Sequence, residues 1–74
     1  MNVNIQIHYI SVSGSKILQK GSFPLRRRKK EVVAFEFWNQ IKREHPLEIY
    51  LEQVLADLED ITDLVIKLEK APLE

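Results

Sequence analysis

Residues 47–70, LEIYLEQVLADLEDITDLVIKLEK, decide the fold of this chain, because they are compatible with two different architectures. Their apolar side chains recur at alternating intervals of four and three positions: Leu47, Leu51, Val54, Leu58, Ile61, Val65 and Leu68. This heptad spacing favours one long amphipathic helix or a short coiled coil. Residues 48–56, however, are rich enough in Ile, Tyr, Leu and Val to form a strand instead.

The N-terminal part of the chain favours the strand. Apolar residues alternate there with polar ones, as in a strand with one buried face: Val3, Ile5, Ile7 and Tyr9. Ile10 and Val12 follow the opposite parity, which predicts a β-bulge or a strand end buried on both faces. Gly14 supplies a tight turn, so residues 16–23 are predicted to return as the second strand of a hairpin. A hairpin alone is marginal in water, and only residues 47–70 can add a third strand, for which residues 48–56 have the composition.

Residues 29–44 carry the period of an amphipathic helix. Its apolar stripe consists of Val33, Ala34, Phe37, Trp38 and Ile41. His45 precedes Pro46, and a residue before proline is pushed out of the helical region, which predicts the end of the helix. Strand and helix periods together predict a core of seven residues: Val3, Ile5, Ile7, Val33, Phe37, Trp38 and Ile41.

We therefore predict a single small α+β domain over residues 1–74, with an N-terminal β-hairpin, a central amphipathic helix, a third antiparallel strand and a short C-terminal helix. The acidic cluster at residues 57–63 predicts a turn and the start of that last helix. Two alternatives stay open: a hairpin with two helices, the second long, or a second hairpin ending at residues 64–68. Pro72 predicts a frayed tail over residues 71–74. A core of this size is marginal, which makes dimerisation a common route to stability.

Positive and negative charges are separated along the sequence. The first 30 residues contain seven Lys and Arg but no Asp or Glu. All eleven acidic residues lie beyond Lys30, together with only four Lys and Arg. A formal net charge of zero therefore conceals a basic and an acidic half. This separation predicts electrostatic pairing, either within the fold or with a partner.

The candidate partner-binding residues form one run of five cations: Arg26, Arg27, Arg28, Lys29 and Lys30. Such a run suits an acidic protein surface or a second copy of the chain, and it also suits the phosphates of a nucleic acid or another anionic surface. Nucleic acid is the less favoured partner, since a pI of about 6.7 lies below the range above about 9 of dedicated binding domains.

The rest of the sequence contains no pattern typical of a catalytic site, a metal site or a cofactor site, so we predict none of them. The chain has no Cys, and its two imidazoles, His8 and His45, are far apart in the sequence. A calcium loop beginning at Asp57 would need Gly at its sixth position and Glu at its twelfth, where the chain has Thr62 and Leu68. We therefore predict that the protein is not an enzyme.

Composition and the N-terminal sequence predict a cytoplasmic protein. The N-terminus lacks the basic and then apolar pattern of a signal peptide. No apolar run approaches the roughly 18 residues of a membrane span.

The predicted function is a small non-catalytic protein-interaction module, a candidate for self-association as a homodimer through complementary basic and acidic surfaces. The alternative is nucleic-acid or anionic-surface binding through residues 26–30.

Overall fold

The structure, a computed structural model, describes residues 1–70, and the predicted tail at residues 71–74 lies outside the described residues. Its elements follow in the order β1 (Asn2–Ser11), β2 (Lys16–Pro24), α1 (Lys30–Glu44), β3 (Ile49–Ala56), β4 (Glu59–Asp60) and α2 (Thr62–Lys70). The predicted hairpin, central helix, third strand and C-terminal helix are confirmed. A long second helix is wrong, because β3 pairs with β1, and a second hairpin ending at residues 64–68 is wrong, because those residues lie in α2.

The strands form one antiparallel sheet in the order β2-β1-β3-β4. β1 lies inside the sheet, paired with β2 along one edge and with β3 along the other. Because β2 and β3 lie on opposite sides of β1, α1 must cross over β1 to connect them. Both helices pack on this one face of the sheet and share a single core cluster with it.

A β-bulge in β3 explains why its sequence resembles a helix. Consecutive residues of β1 pair with Gln53 and then with Leu51, so Glu52 is an extra residue in β3. The inward-facing Leu51 and Val54 are therefore three positions apart instead of two, which turns the period of a strand into the intervals of a heptad. The irregularity predicted near Ile10 is present in this ladder, but the extra residue belongs to β3.

The core lies between the sheet and the two helices. Its buried members are Val3, Ile5, Ile7, Tyr9, Val33, Ala34, Trp38, Ile41, Ile49, Val54, Ala56, Ile61 and Val65. Six of the seven residues predicted for the core are among them. Phe37 is the exception, because it is half-buried at the margin, where its ring centroid lies 4.7 Å from that of Phe23. Gly21 leaves space for this contact, since a Cβ there would lie 2.6 Å from the Phe23 ring.

Trp38 joins α1 to α2 and to the sheet. Its side chain is 1% exposed, and its ring centroid lies 5.6 Å from that of Tyr9. Trp38 Nε1 donates to Glu69 Oε2 at 3.0 Å, and Lys42 Nζ donates to the same oxygen at 2.7 Å. Burial raises the pKa of Glu69, but the hydrogen bonds from Lys42 and Trp38 and the nearby lysine charges outweigh it and hold this pKa below its usual value. The ionised carboxylate therefore stabilises the packing of the two helices.

Replacing Trp38 with Ala should lower the free energy of unfolding by about 3–5 kcal/mol, because the change leaves a cavity in the core. Urea unfolding followed by circular dichroism measures this loss. Leu47→Ala, at an exposed position outside the helices and strands, is the control and should change the value by less than about 0.5 kcal/mol. An unchanged midpoint for Trp38→Ala would contradict the observed core.

Replacing Glu69 with Gln should lower stability at pH 7 by about 0.5–1 kcal/mol, because a neutral amide replaces a paired carboxylate. The folded pKa of Glu69 is depressed, so its stabilisation is complete above the unfolded pKa of about 4.3 and is lost as the pH falls through the folded value. The stabilities of the two proteins, measured by urea unfolding at successive pH values, should therefore begin to converge as the pH falls below about 4.3 and become equal below the depressed pKa of folded Glu69. A difference that persists in full at about pH 2 would exclude the carboxylate charge as its cause.

Candidate interaction surfaces

The basic run connects β2 to α1 through a tight turn. Arg28 N donates to Leu25 O at 2.9 Å, and Arg26 and Arg27 are the two central residues of this turn. Their φ angles are 50° and 67°, in the left-handed region that residues with a Cβ avoid. The left-handed backbone costs such residues about 1–2 kcal/mol each. The turn is therefore strained at two positions where glycine would be relaxed.

Two of the five cations have partners within the fold. Arg28 forms an ion pair with Glu36 of α1, and Lys30 forms one with Glu59 of β4. Lys30 is the first residue of α1, where a positive charge opposes the helix dipole, and the Glu59 carboxylate offsets that unfavourable charge. The other three cations are exposed and form no ion pair among residues 1–70: Arg26, Arg27 and Lys29.

The acidic turn between β3 and β4 lies at the same end of the sheet as the basic run. Asp57 N donates to Asn4 O at 2.8 Å, and Asn4 N donates to Asp57 Oδ1 at 3.0 Å, which joins this turn to the start of β1. Asn2 pairs with Pro24 there, just before the basic run. Three of the four ion pairs in residues 1–70 join the basic first 30 residues to the acidic remainder: Lys16–Glu52, Arg28–Glu36 and Lys30–Glu59. The two charged halves are therefore partly paired within the fold.

The face of the sheet opposite the helices is uncovered, and it is a second candidate surface. Strand pairing arranges its side chains in rows: Lys16, Ile10 and Tyr50, then Leu18, His8 and Gln53, then Lys20, Gln6, Leu55 and Asp60. Sequence analysis missed this surface, because membership of a row depends on how the strands pair. One signal was available in β1: the polar residues that alternate with its core residues must lie on the opposite face of the sheet.

Charge on the uncovered face is divided between its two edges. β2 contributes Lys16 and Lys20 and no acid, whereas β3 and β4 contribute Glu52 and Asp60 and no base. Lys16 Nζ lies 3.8 Å from Glu52 Oε2 across β1, but both groups are solvated, so this pair contributes little. Hydrogen bonds from the Thr62 hydroxyl and backbone hold the pKa of Asp60 below its usual value, which keeps that edge negative.

The two histidines do not form a site together. His8 lies on the uncovered face, whereas His45 ends α1, with its Nε2 3.0 Å from the Tyr9 hydroxyl oxygen. The two rings of that pair meet edge to face, with centroids 5.4 Å apart. His45 therefore ties the end of α1 to β1 and serves the packing of the fold.

Comparison with known proteins provides no relative from which a function could be transferred. No family model, no curated protein and no solved structure matches the chain. Within residues 1–70, no helix is long and apolar enough to cross a membrane. The same residues contain no group of three or more His, Cys, Asp and Glu that could hold a metal ion. Inference about function therefore depends on the two surfaces described above.

Replacing Arg26 and Arg27 together with Gly should raise the free energy of unfolding by about 1–2 kcal/mol. The change relieves about 2–4 kcal/mol of strain at the two positions, and the greater freedom of two glycines in the unfolded chain takes back about 1–2 kcal/mol. Thermal unfolding measures the gain. Gln at both positions removes the charges but keeps the strain, so this control should stay within about 0.5 kcal/mol of the parent. Leu58→Gly, at an exposed residue with φ 70°, tests the same effect at another turn. Equal stabilities of the Gly and Gln variants would contradict strain at the arginine turn.

Proposed function

We propose that the protein is a small non-catalytic protein-interaction module, and that Arg26, Arg27 and Lys29 bind an acidic surface of its partner. The observation that carries this proposal is a pair of exposed arginines on a strained turn, with no ion-pair partner in residues 1–70. Strained residues persist where function requires them and the surrounding structure holds them. Self-association through basic and acidic surfaces is included in the proposal.

Arginine side chains suit a site of this kind. A guanidinium group is planar and binds a carboxylate through two parallel hydrogen bonds. The turn holds the backbone of both arginines in place, so less conformational freedom is lost on binding. Arg28 and Lys30, which the sequence assigns to the same site, are bound to Glu36 and Glu59 instead. We therefore give these two cations a positioning role.

A nucleic acid or another anionic surface is the alternative partner for the same cations. Zero net charge favours the protein partner, because the phosphate backbone is recognised largely through an excess of positive charge. The cysteine-free composition is that of a reducing compartment, and we propose a cytoplasmic location on this basis.

Fluorescence anisotropy with two labelled probes tests the proposal. One probe is a 20-residue Glu-rich peptide, and the other is a 20-base-pair DNA, each titrated at about 150 mM salt. We expect the peptide to bind, and Gln at Arg26, Arg27 and Lys29 to weaken that binding at least about tenfold, the loss of about 1.4 kcal/mol from charge-assisted contacts. Gln at Arg28 and Lys30, the internally paired cations, is the matched control and should weaken it less than about threefold.

Two outcomes would overturn the proposal. In the first, the peptide fails to bind at about 1 mM, or the control variant loses as much affinity as the test variant. In the second, DNA binds more tightly than about 1 μM, which exceeds non-specific binding. The logarithm of the DNA affinity would then fall with the logarithm of salt, with a slope that shrinks by about one for each phosphate contact removed. That result would establish the nucleic-acid alternative.

A further inference from the structure

We infer that the uncovered face of the sheet is a homodimer interface, in which two copies pack face to face about a two-fold axis parallel to the strands. The inference rests on the self-association included in the proposed function, but it does not use the arginine turn. A second copy is the occupant because the charges on this face complement those of the same face after a two-fold rotation.

The strand order produces this match. A two-fold axis along the strands, through the middle of the sheet, places β2 over β4 of the partner and β1 over β3 of the partner. Lys20, Gln6, Leu55 and Asp60 share one row. Lys20 then lies over the partner's Asp60, and Gln6 lies over the partner's Leu55. Because the contact is isologous, each of these pairs occurs twice in the dimer.

The orientation of the axis is set by the lysines at the edge. With the axis along the strands, Lys16 also approaches the partner's Glu52, so both edges of the dimer join opposite charges. A two-fold axis across the strands would place β2 over β2 of the partner, so that Lys16 of each copy lies against Lys20 of the other. Like charges at an interface are unfavourable, whereas opposite charges fix the relative position of the two copies.

The centre of the face provides the apolar contact. Four apolar or aromatic side chains lie around His8: Ile10, Leu18, Tyr50 and Leu55. Leu18 is 42% exposed and Tyr50 is 51% exposed. Two sheets packed face to face lie about 10 Å apart and interdigitate such side chains. The dimer therefore removes from water the apolar side chains that the helices leave uncovered.

Edge-to-edge pairing of β2 would give a different dimer, with one continuous sheet, and it is less favourable. β2 is an edge strand, but it carries Lys16 and Lys20, and lysines on an edge strand oppose pairing with another chain. Pro24 at its end has no amide hydrogen to donate. The face is therefore the better interface.

The size of the face is typical of a weak, transient interface. Strands about 4.8 Å apart with a rise of about 3.3 Å per residue give this face a projected area of roughly 400–500 Å². Two copies together would then bury about 800–1,000 Å², which lies at the small end of specific contacts. We therefore expect weak association, with a dissociation constant on the order of 100 μM.

Sedimentation equilibrium of the full chain between about 5 and 500 μM tests the inference. We expect a monomer–dimer equilibrium that weakens at least threefold between about 50 and 500 mM salt, because both edges of the interface are charged. Leu18→Glu should weaken the dimer at least tenfold. Leu47→Glu changes an exposed leucine outside the sheet and is the matched control, expected to leave the constant within twofold. Circular dichroism confirms that each variant is folded.

Charge reversal gives a second test that depends on the orientation of the two copies. Lys16→Glu and Glu52→Lys should each weaken the dimer, and the double variant should recover its affinity to within threefold of the parent. Gln at Arg26 and Arg27 should leave the dimer unchanged, which separates this interface from the arginine turn. A chain that stays monomeric at 500 μM, a dimer insensitive to Leu18→Glu, or a double variant weaker than both single variants would overturn the inference.

Discussion

Hydrogen bonding of β1 on both of its edges is the constraint on which the rest of the structure depends. β2 and β3 both pair with β1, so the connection between them must pass over one face of the sheet. α1 makes that connection, and it covers the inward-facing side chains of β1. α2 packs on the same side, which leaves the opposite face of the sheet to solvent or to a partner.

Elements with an uninterrupted period could be predicted from the sequence alone. The alternation of β1 and the apolar stripe of α1 each identify a buried face, and Trp38 is buried as the stripe of α1 predicts. β3 could be predicted only through the argument that a hairpin needs a third strand, because the extra residue Glu52 conceals its period. β4 contains two residues and has no period to detect.

The candidate sites were predictable to a smaller extent, because their character depends on residues distant in the sequence. The five cations stand out as one run, yet only the fold shows that Arg28 and Lys30 are neutralised, by acids 8 and 29 positions away. The rows on the uncovered face depend on strand pairing, and no local pattern encodes them. Charge separation along the chain, by contrast, was visible at once and is expressed in three ion pairs across its two halves.

β1 pairs with one strand that is close in the sequence, β2, and with one that is distant, β3. The hairpin with β2 is local, and such structures form within about 1–10 μs. The contacts beyond β3 join Asn4 to Asp57, 53 positions away, and long-range pairing of this kind is slow. During synthesis at about 5–20 residues per second, roughly 2–8 s separate the appearance of β1 from that of β3. Over this interval the edge of β1 that later pairs with β3 has no partner strand in its own chain, so its free N–H and C=O groups are open to pairing with other chains.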